Sequence, residues 1–295
     1  MRSYDSTVND NRGGYVLIIV LVVLASSMVI IISFISTVYL YANTAENFKT
    51  AEKMSVLLKA AYKISTERGK EFYSRATYNN YKEMPFEETV DDIKVNVLVV
   101  DNNSKFNLNS LVYRNGLVNQ SAYELFKRLL RELDIKEDYA DILIDYIDPD
   151  KVSRSSTGEI NAKNYFLFSL SELNYIFPRE DLDKLLPYVT FFGDGKININ
   201  TADYPVIKAL HRDMTEAVAK RIIDVRSEKA FDSIGAVTRV PGMESIGIAI
   251  SDMIVVKNSS FQLYLKAEKD DFVESVEAGC EIMENRIVTK YWKEL

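Results

Sequence analysis

The longest apolar run in the chain lies near its amino end. No charged residue occurs between Arg12 and Glu46, and a helix needs only about 20 apolar residues to cross a bilayer. A cleavable secretory signal has a shorter apolar core of roughly 7–15 residues. The pattern therefore predicts a membrane-spanning helix that remains in the mature protein.

The helical pattern continues beyond this run. Apolar residues recur at helical spacing at Met54, Leu57, Leu58, Ala61 and Ile64. Good helix formers fill the stretch, and Gly69 is a typical helix stop. We therefore predict one helix from Tyr15 to about Arg68, in which 15–41 span the membrane and the second half docks on a globular domain.

Strand patterns occur in two distant places. Alternating and valine-rich residues predict a strand at Ile93–Val100, followed by an Asx-rich turn at Asp101, Asn102, Asn103 and Ser104. Three more strands are predicted near the carboxyl end, in "SSFQLYLKAEKD", "FVESVEAGCEIME" and "NRIVTKYWKEL". Hairpin turns are expected at Asp270-Asp271 and Glu284-Asn285. The distant strands are expected to pair in one antiparallel sheet.

The residues between these strands have helical periodicity. "SAYELFKRLLRELDI" is predicted to begin at a serine cap, "SLSELNYIF" at Ser169 or Ser171, and the segment after Gly193 at a capping Thr201. The fold class is therefore α+β, with a long helix packed on an antiparallel sheet. A large all-α insertion separates the first strand from the last ones.

Composition and charge exclude several classes of function. The 295 residues carry a net charge of -7, which argues against general nucleic-acid binding. One cysteine, Cys280, cannot form an intrachain disulfide, and one histidine, His211, disfavours a histidine zinc site or a Ser-His-Asp triad. No P-loop, Rossmann pattern or nucleophile elbow occurs. We predict no catalytic residues and no enzyme activity.

The start of the chain resembles type IV pilin-like proteins. A short polar leader ends in "RGG", and the apolar helix follows at once. The resemblance implies that a prepilin peptidase cuts after Gly14 and leaves Tyr15 as the new amino terminus. Arg2 and Arg12 favour a cytoplasmic amino end, with the bulk of the chain outside.

One residue departs from the pilin-like pattern. Most members of that family carry glutamate at the fifth mature position, where this chain has Ile19. Burying an unpaired carboxylate in a membrane or an apolar filament core costs several kcal/mol. In filaments of that family the glutamate is expected to pair with the amino terminus of a neighbouring subunit. A subunit at a filament tip has no subunit above it with which to form this pair, so an apolar residue at this position indicates a tip subunit.

Several segments in order resemble the type II secretion minor pseudopilin K family. They are "DNNSKFNLNSL", "LIDYIDPD", "FSLSEL", "GKININTADYPVIKAL" and "SSFQLYLKAE". The resemblance implies a leader at 1–14, a pilin-like α/β domain from 69–109 and 259–295, and an inserted helical domain at 110–258. It also implies a single-pass protein of the bacterial inner membrane with a periplasmic domain.

The same resemblance implies the partners and the role. The chain would assemble with minor pseudopilins I and J at the tip of the pseudopilus, initiate the filament and promote export of folded proteins through an outer-membrane secretin. Its other expected partners are the prepilin peptidase and the inner-membrane secretion platform. No nucleic acid is expected.

An acidic segment follows the "LIDYIDPD" motif. The carboxylates of Asp145, Asp148, Asp150 and Glu159 could converge on a hard cation, since Ca²⁺ takes carboxylate and carbonyl ligands in loops. The family resemblance also implies calcium in the helical insertion. The alternative is a solvated acidic turn with helix-capping aspartates.

Residues 195–255 resemble a helix-hairpin-helix module. The DNA-binding form needs a glycine-rich hairpin whose amides face phosphate, and the first hairpin here is "HRDM", with Asp213 and no glycine. The second hairpin has Gly242 but also Glu244. We interpret the module as a packing unit.

Two other functions remain open for the whole chain. It could be a minor pilin of a type IV pilus or DNA-uptake system, or a membrane-anchored enzyme.

Overall fold

The computed structural model of the chain describes residues 12–74, 82–150, 152–154, 162–284 and 286–295, with backbone only at 12–13 and 68–74. The chain divides into two compact units, Met1–Ser55 and Val56–Leu295. The helix α1 (Arg12–Ser74) runs through the first and enters the second.

From Tyr15 to Tyr41, in the first unit, α1 exposes its apolar side chains. This is the helix in the described part of the chain that is long and apolar enough to cross a membrane, with a mean hydropathy of 3.1 over its most apolar window. The hydroxyls of Ser26, Ser27 and Thr37 donate to carbonyls one turn earlier, each at 2.8 Å. These bonds satisfy the hydroxyls within the helix, which lets it carry them in lipid.

The helix is longer than predicted. It begins at Arg12 and ends at Ser74, so it passes through Gly69 instead of ending there. A glycine inside a helix costs only about 1 kcal/mol relative to alanine. The good helix formers on both sides of Gly69 continue the hydrogen-bonded pattern across it.

The second unit contains a five-stranded antiparallel sheet in the order β1-β2-β7-β8-β9. Its strands are β1 (Glu83–Val90), β2 (Ile93–Asp101), β7 (Ser260–Lys269), β8 (Phe272–Met283) and β9 (Arg286–Glu294). The predicted strands and their long-range pairing are confirmed, because β2 pairs with β7 in the register Val97↔Leu265. Strand β1 was not predicted, since Pro85 and three glutamates give it little strand character.

The second half of α1 covers one face of this sheet. The cross-strand row Met84, Val99, Leu263, Ala278, Trp292 lies on that face, and the ring of Tyr62 meets Trp292 edge-on with centroids 5.0 Å apart. Leu58 is 2% exposed. The sheet thus has a face toward α1, here called the helix face, and an outer face.

Between β2 and β7 the chain forms a helical insertion. Its helices are α2 (Gln120–Glu132), α3 (Tyr139–Ile147), α4 (Arg179–Leu185), α5 (Tyr204–Ala209), α6 (Glu216–Glu228), α7 (Ile234–Thr238) and α8 (Glu244–Ala249). Two pairs of two-residue parallel strands join its parts: β3 (Phe106–Asn107) with β4 (Val189–Thr190), and β5 (Ile197–Asn198) with β6 (Ile254–Val255). A single apolar core built from α2, α3 and the later helices fills the insertion. The α+β fold class is confirmed.

The helix caps differ partly from the prediction. Asn119, and not a serine, caps α2 by accepting from the amide of Ala122. Ser169 caps the short 3₁₀ turn at Leu170–Tyr175 in a capping box with Glu172, as one of the two predicted serines. Thr201 caps no helix, because its hydroxyl bonds elsewhere.

Candidate functional sites

The insertion joins the sheet at a buried polar junction. We define the junction as the segments 101–107, 190–201 and 256–260, which meet at the end of β2. Asp101 is 2% exposed. Its carboxylate accepts hydrogen bonds from the amide of Asn103 and from Nδ2 of Asn198, each at 2.9 Å, and from the hydroxyl of Thr201.

The carboxyl group of Asp101 is poised near neutral pH. Complete burial raises its pKa to about 7, and the nearby carboxylate of Asp194 acts in the same direction. The hydrogen bonds from Thr201, Asn198 and Asn103 oppose this rise because they stabilise the ionised form. A small change in pH near 7 therefore changes the charge inside the junction.

Two asparagines connect the end of β2 with the middle and the far end of the insertion. Asn102 donates to the carbonyl of Phe192 at 2.7 Å and accepts from the hydroxyl of Thr190 at 2.6 Å. Asn103 accepts from the amides of Ser259 and Ser260, both at 2.9 Å. These side chains satisfy backbone groups that would otherwise be buried without partners. The predicted Asx turn is present, and its four residues are buried.

One glycine permits the close approach of these segments. Gly193 has φ of +107°, and a Cβ there would lie 2.7 Å from Oγ of Ser260. Only glycine adopts this conformation without strain and leaves room for the serine.

Aromatic rings continue the contact onto the outer face of the sheet. Tyr291 of β9 lies 5.2 Å from Phe191 and 5.3 Å from Phe192, centroid to centroid. Its hydroxyl donates to Glu277 at 2.6 Å and accepts from Gln262 at 2.7 Å. Burial raises the pKa of Tyr291. The insertion is thus held to the sheet by both a polar and an aromatic contact.

The helix face holds the only cysteine of the chain. Cys280 is buried, and burial raises the pKa of its thiol to about 11. A thiol with this pKa is almost entirely protonated at pH 7, so it is not an activated nucleophile. The hydroxyl of the adjacent Tyr62 bonds to the hydroxyl of Thr289.

The docking side of α1 is narrower than its sequence pattern suggested. Leu58 is buried and Leu57 and Ala61 are half-buried, as a docking face requires. Ile64, which was predicted to belong to the same face, is 53% exposed. Ile64 lies on the same side of α1 as the half-buried Leu57, at the margin of the docking side and about 120° around the helix from Leu58.

The predicted cleavage residues lie in the first turns of α1. Tyr15 is 69% exposed and Ile19 is 47% exposed. A Cβ placed at Gly14 would meet no atom within 4 Å, so packing does not require glycine there. The leader residues 1–11 lie outside the described residues.

The predicted acidic site is partly described. Asp145 is buried, and its carboxylate accepts from the hydroxyl of Ser153 at 2.8 Å and from the amide of Arg154 at 2.8 and 3.0 Å. Asp148 is fully buried, with Nε of Arg154 at 4.0 Å. Asp150 is exposed and accepts from the amide of Val152. Glu159 lies outside the described residues.

A further oxygen near this loop was not predicted. Oδ1 of Asn164 is buried and makes no hydrogen bond. The residue has φ of +53°, and its amide donates to the carbonyl of Tyr146 at 3.0 Å, next to Asp145 in α3. Among the described residues no group of three or more His, Cys, Asp or Glu side chains could hold a metal ion, so the calcium site stays a prediction.

In the part of the chain that resembles a helix-hairpin-helix module, backbone amides of both hairpins already donate hydrogen bonds to nearby side chains. In the first hairpin, Nδ1 of His211 accepts from the amide of Asp213 at 3.2 Å. In the second, Gly242 has φ of +92° and its amide donates to the carboxylate of Glu244 at 3.0 Å. Backbone hydrogen bonds of this kind lower the pKa of Glu244. A phosphate at this hairpin would have to displace a carboxylate of the chain itself.

Most of the insertion matches models of a known protein family. Two family models, both described as type II secretion system (T2SS), protein K, match residues 104–194 and 197–257. Together they cover just over half of the chain. No curated protein matches it.

A solved structure shares the fold. A chain in the crystal structure of the GspK-GspI-GspJ complex from the type 2 secretion system of enterotoxigenic Escherichia coli aligns with a TM-score of 0.69. The alignment covers 85% of this chain and 99% of the other, with 16% sequence identity. Since the two K models together match more than half of the chain, including nearly all of the insertion, the chain belongs to the type II secretion system protein K family of minor pseudopilins.

Proposed function

We propose that this minor pseudopilin forms the tip of the type II secretion pseudopilus, assembles there with I-type and J-type minor pseudopilins, and promotes export of folded proteins through the outer-membrane secretin. It acts as a structural subunit and not as an enzyme. The fold shared with a chain of the GspK-GspI-GspJ complex supports this choice of partners.

The position of the insertion carries the proposal. The positive charge of Lys59 acts on the carboxyl group of Glu274, near the β7–β8 turn, and opposes the rise in its pKa. Tyr62, nearly one helical turn later, contacts Thr289 and Trp292. The second half of α1 therefore runs from the hairpin end of the sheet toward the junction. A subunit stacked beyond the junction would meet the insertion, so the last position of a filament is the one that accommodates it.

The residue at the fifth mature position supports the same place. Ile19 cannot pair with the amino terminus of a neighbour, which a subunit inside the filament would be expected to do. Prepilin peptidase releases residues 1–14, and the remaining helix anchors the protein in the inner membrane with the second unit in the periplasm. The absence of any packing reason for glycine at Gly14 supports recognition of that residue by the peptidase.

The leader is tested by N-terminal sequencing of the protein from the membrane fraction. We expect the sequence to begin at Tyr15 when the peptidase is present, and at Met1 in a Gly14→Val variant. A wild-type protein that begins at Met1 would contradict cleavage.

The assembly is tested by co-expression of the tagged full chain with the I-type and J-type minor pseudopilins of its own secretion system. We expect both partners to co-purify from detergent-solubilised membranes, and secretion to stop when the chain is deleted. Loss of secretion without co-purification would separate a role in export from a role in this complex.

We further propose a calcium ion at the acidic loop. Asp145, Asp148 and Asn164 would supply ligands, together with Asp150 or Glu159, and the oxygen-rich donor set fits a hard cation. The buried, unbonded Oδ1 of Asn164 is the observation that supports this fit. When bound, the ion would neutralise the buried carboxylates of Asp145 and Asp148.

Calorimetry with Ca²⁺ on the purified chain tests the site. We expect binding by the wild type, and at least tenfold weaker binding after Asp148→Asn or Asn164→Ala. Asp224→Asn, at an exposed position on α6, is the control and should bind like the wild type. Absence of binding heat in the wild type would remove calcium from the account.

A further inference from the structure

One turn of the insertion contains the only Asn-Gly pair of the sequence. Asn115 is exposed, and Gly116 follows it with a φ of +84°. The amide of Gly116 donates to the carbonyl of Tyr113 at 2.9 Å, and the amide of Tyr113 donates to the carbonyl of Leu117 at 2.8 Å. The pair therefore lies in a tight turn that is open to solvent.

The side chain of Asn115 is held over the backbone of this turn. Its Oδ1 accepts a hydrogen bond from the amide of Leu117 at 3.1 Å, which is the arrangement of an Asx turn. A hydrogen bond to a carbonyl oxygen stabilises the negative charge that develops there when a nucleophile attacks the carbonyl carbon. The bond thus activates Cγ of Asn115 toward a nearby nucleophile, and the main-chain nitrogen of Gly116 is the next along the chain.

The nitrogen of Gly116 is open to this reaction because its residue has no side chain. Glycine carries no Cβ that would shield its own nitrogen, and it adopts a positive φ without strain. A larger residue does not fit, since a Cβ at this position would lie 2.8 Å from Cγ of Pro149. Packing against Pro149 therefore keeps a glycine directly after Asn115.

We propose that Asn115 is a site of spontaneous deamidation. The nitrogen of Gly116 gives its proton to water and bonds to Cγ of Asn115. The bond between Cγ and Nδ2 then breaks, and Nδ2 takes up a proton and leaves as ammonia. Water adds to one carbonyl of the resulting succinimide ring and opens it. Opening at the former side-chain carbonyl gives aspartate, and opening at the main-chain carbonyl gives isoaspartate.

The product changes the surface beside the acidic loop. Both products carry a carboxylate in place of the amide, and isoaspartate also lengthens the main chain within the turn by a carbon atom. Pro149, against which Gly116 packs, lies between Asp148 and Asp150. Deamidation therefore places a new negative charge next to a segment that is already acidic.

Peptide mapping of the full chain in detergent tests the site. The protein is incubated at mildly alkaline pH, once folded and once unfolded in guanidinium chloride, and the mass increase of about 1 Da per deamidated residue is followed. Asn103 and Asn258 are internal controls, since each precedes a serine and is buried. We expect folding to slow the reaction at least tenfold at these two residues, and less than threefold at Asn115.

Two variants assign the reaction and its effect. Asn115→Gln should give no product at this position, because its longer side chain would have to close a larger ring. Asn115→Asp has the charge of the product with a normal main chain. Deamidated wild type, collected by ion exchange, should unfold at a lower temperature than Asn115→Asp, because isoaspartate disturbs the hydrogen bonds of Gly116 and Tyr113 that close the turn.

The comparison of folded and unfolded protein decides the proposal. If folding slows the reaction at Asn115 as strongly as at Asn103 and Asn258, the hydrogen bond from Gly116 to Tyr113 protects the residue and the proposal is wrong. A mass increase that remains in the same peptide of Asn115→Gln would contradict it as well. Both results leave the proposed function intact, since co-purification with the other pseudopilins tests that function independently.

Discussion

At the scale of single residues, the protonation of the Asp101 carboxyl group is expected to make the stability of the fold depend on pH. The pKa of this group is about 7 in the folded protein and about 4 in an unfolded chain. The folded state therefore holds a proton that the unfolded state has lost between these two pH values. The stabilisation that results is complete below about pH 4 and is lost as the pH rises through 7.

We expect the free energy of unfolding to fall between pH 4 and pH 7 by up to about 4 kcal/mol from this residue. Asp101→Asn removes the titration, so its stability should depend less on pH over that interval even if it is lower at every pH. Denaturant unfolding of both proteins at a series of pH values measures the difference. Equal slopes would show that Asp101 titrates in its ordinary range.

Gly279 is a second residue with a specific effect. A Cβ there would overlap the ring of Tyr291, and that ring is fixed by Phe191, Phe192 and two hydrogen bonds. Gly279→Ala should therefore cost about 1–3 kcal/mol, as overpacking usually does.

The matched control for this change is Gly235→Ala in α7. A Cβ at Gly235 meets no atom within 4 Å, and alanine favours the helix by up to about 1 kcal/mol. Thermal unfolding of the two variants should thus shift in opposite directions. A Gly279→Ala protein as stable as the wild type would mean that Tyr291 can move.

At the scale of elements, the two sides of α1 should differ in their contribution to stability. Leu58 is buried against the sheet and Ile64 is exposed. Leu58→Ala should cost about 2–5 kcal/mol and Ile64→Ala less than 1 kcal/mol. Chemical unfolding of the full chain in detergent measures both. Similar losses for the two variants would contradict the orientation of the helix.

Elements with a long and regular pattern could be predicted from the sequence. The apolar run of α1 and the strands β2, β7, β8 and β9 each have many residues that favour one structure. Strand β1 could not, because Pro85 and its glutamates are poor strand formers and only pairing with β2 makes it a strand.

The candidate sites could be predicted only where the interacting residues are close together in the sequence. The turn at Asp101–Ser104 followed from its Asx residues. Its burial did not, since Thr201, Asn198 and Ser260 come from segments about 100 or more residues away. For the same reason Thr201 resembled a helix cap in sequence but bonds to Asp101 in the structure.

At the scale of the whole molecule, both edges of the sheet are protected from pairing with other sheets. Strand β1 carries Pro85 and three glutamates. Strand β9 carries lysines and an irregular register opposite Gly279 and Cys280. Prolines, charges and bulges on edge strands oppose association between sheets.

We therefore expect a chain with Pro85→Thr and Glu88→Thr to associate with itself more readily. Light scattering over a range of concentrations should detect larger species in this variant and not in the wild type. Glu180→Thr, at an exposed site in α4, controls for the loss of one negative charge. A variant that scatters like the wild type would show that β1 is protected by other means.

The junction has a consequence for the topology of the chain. Strands β2 and β7 are antiparallel neighbours in which Asp101 lies opposite Phe261. Every other pair of neighbours in the sheet is consecutive along the chain. In topological terms the whole insertion is the loop of one β-hairpin, and a two-residue turn in its place would leave a simple five-stranded meander. The hydrogen bonds that Asn103 accepts from Ser259 and Ser260 keep the two ends of that loop together. The length of the loop therefore need not change the register in which β2 and β7 pair.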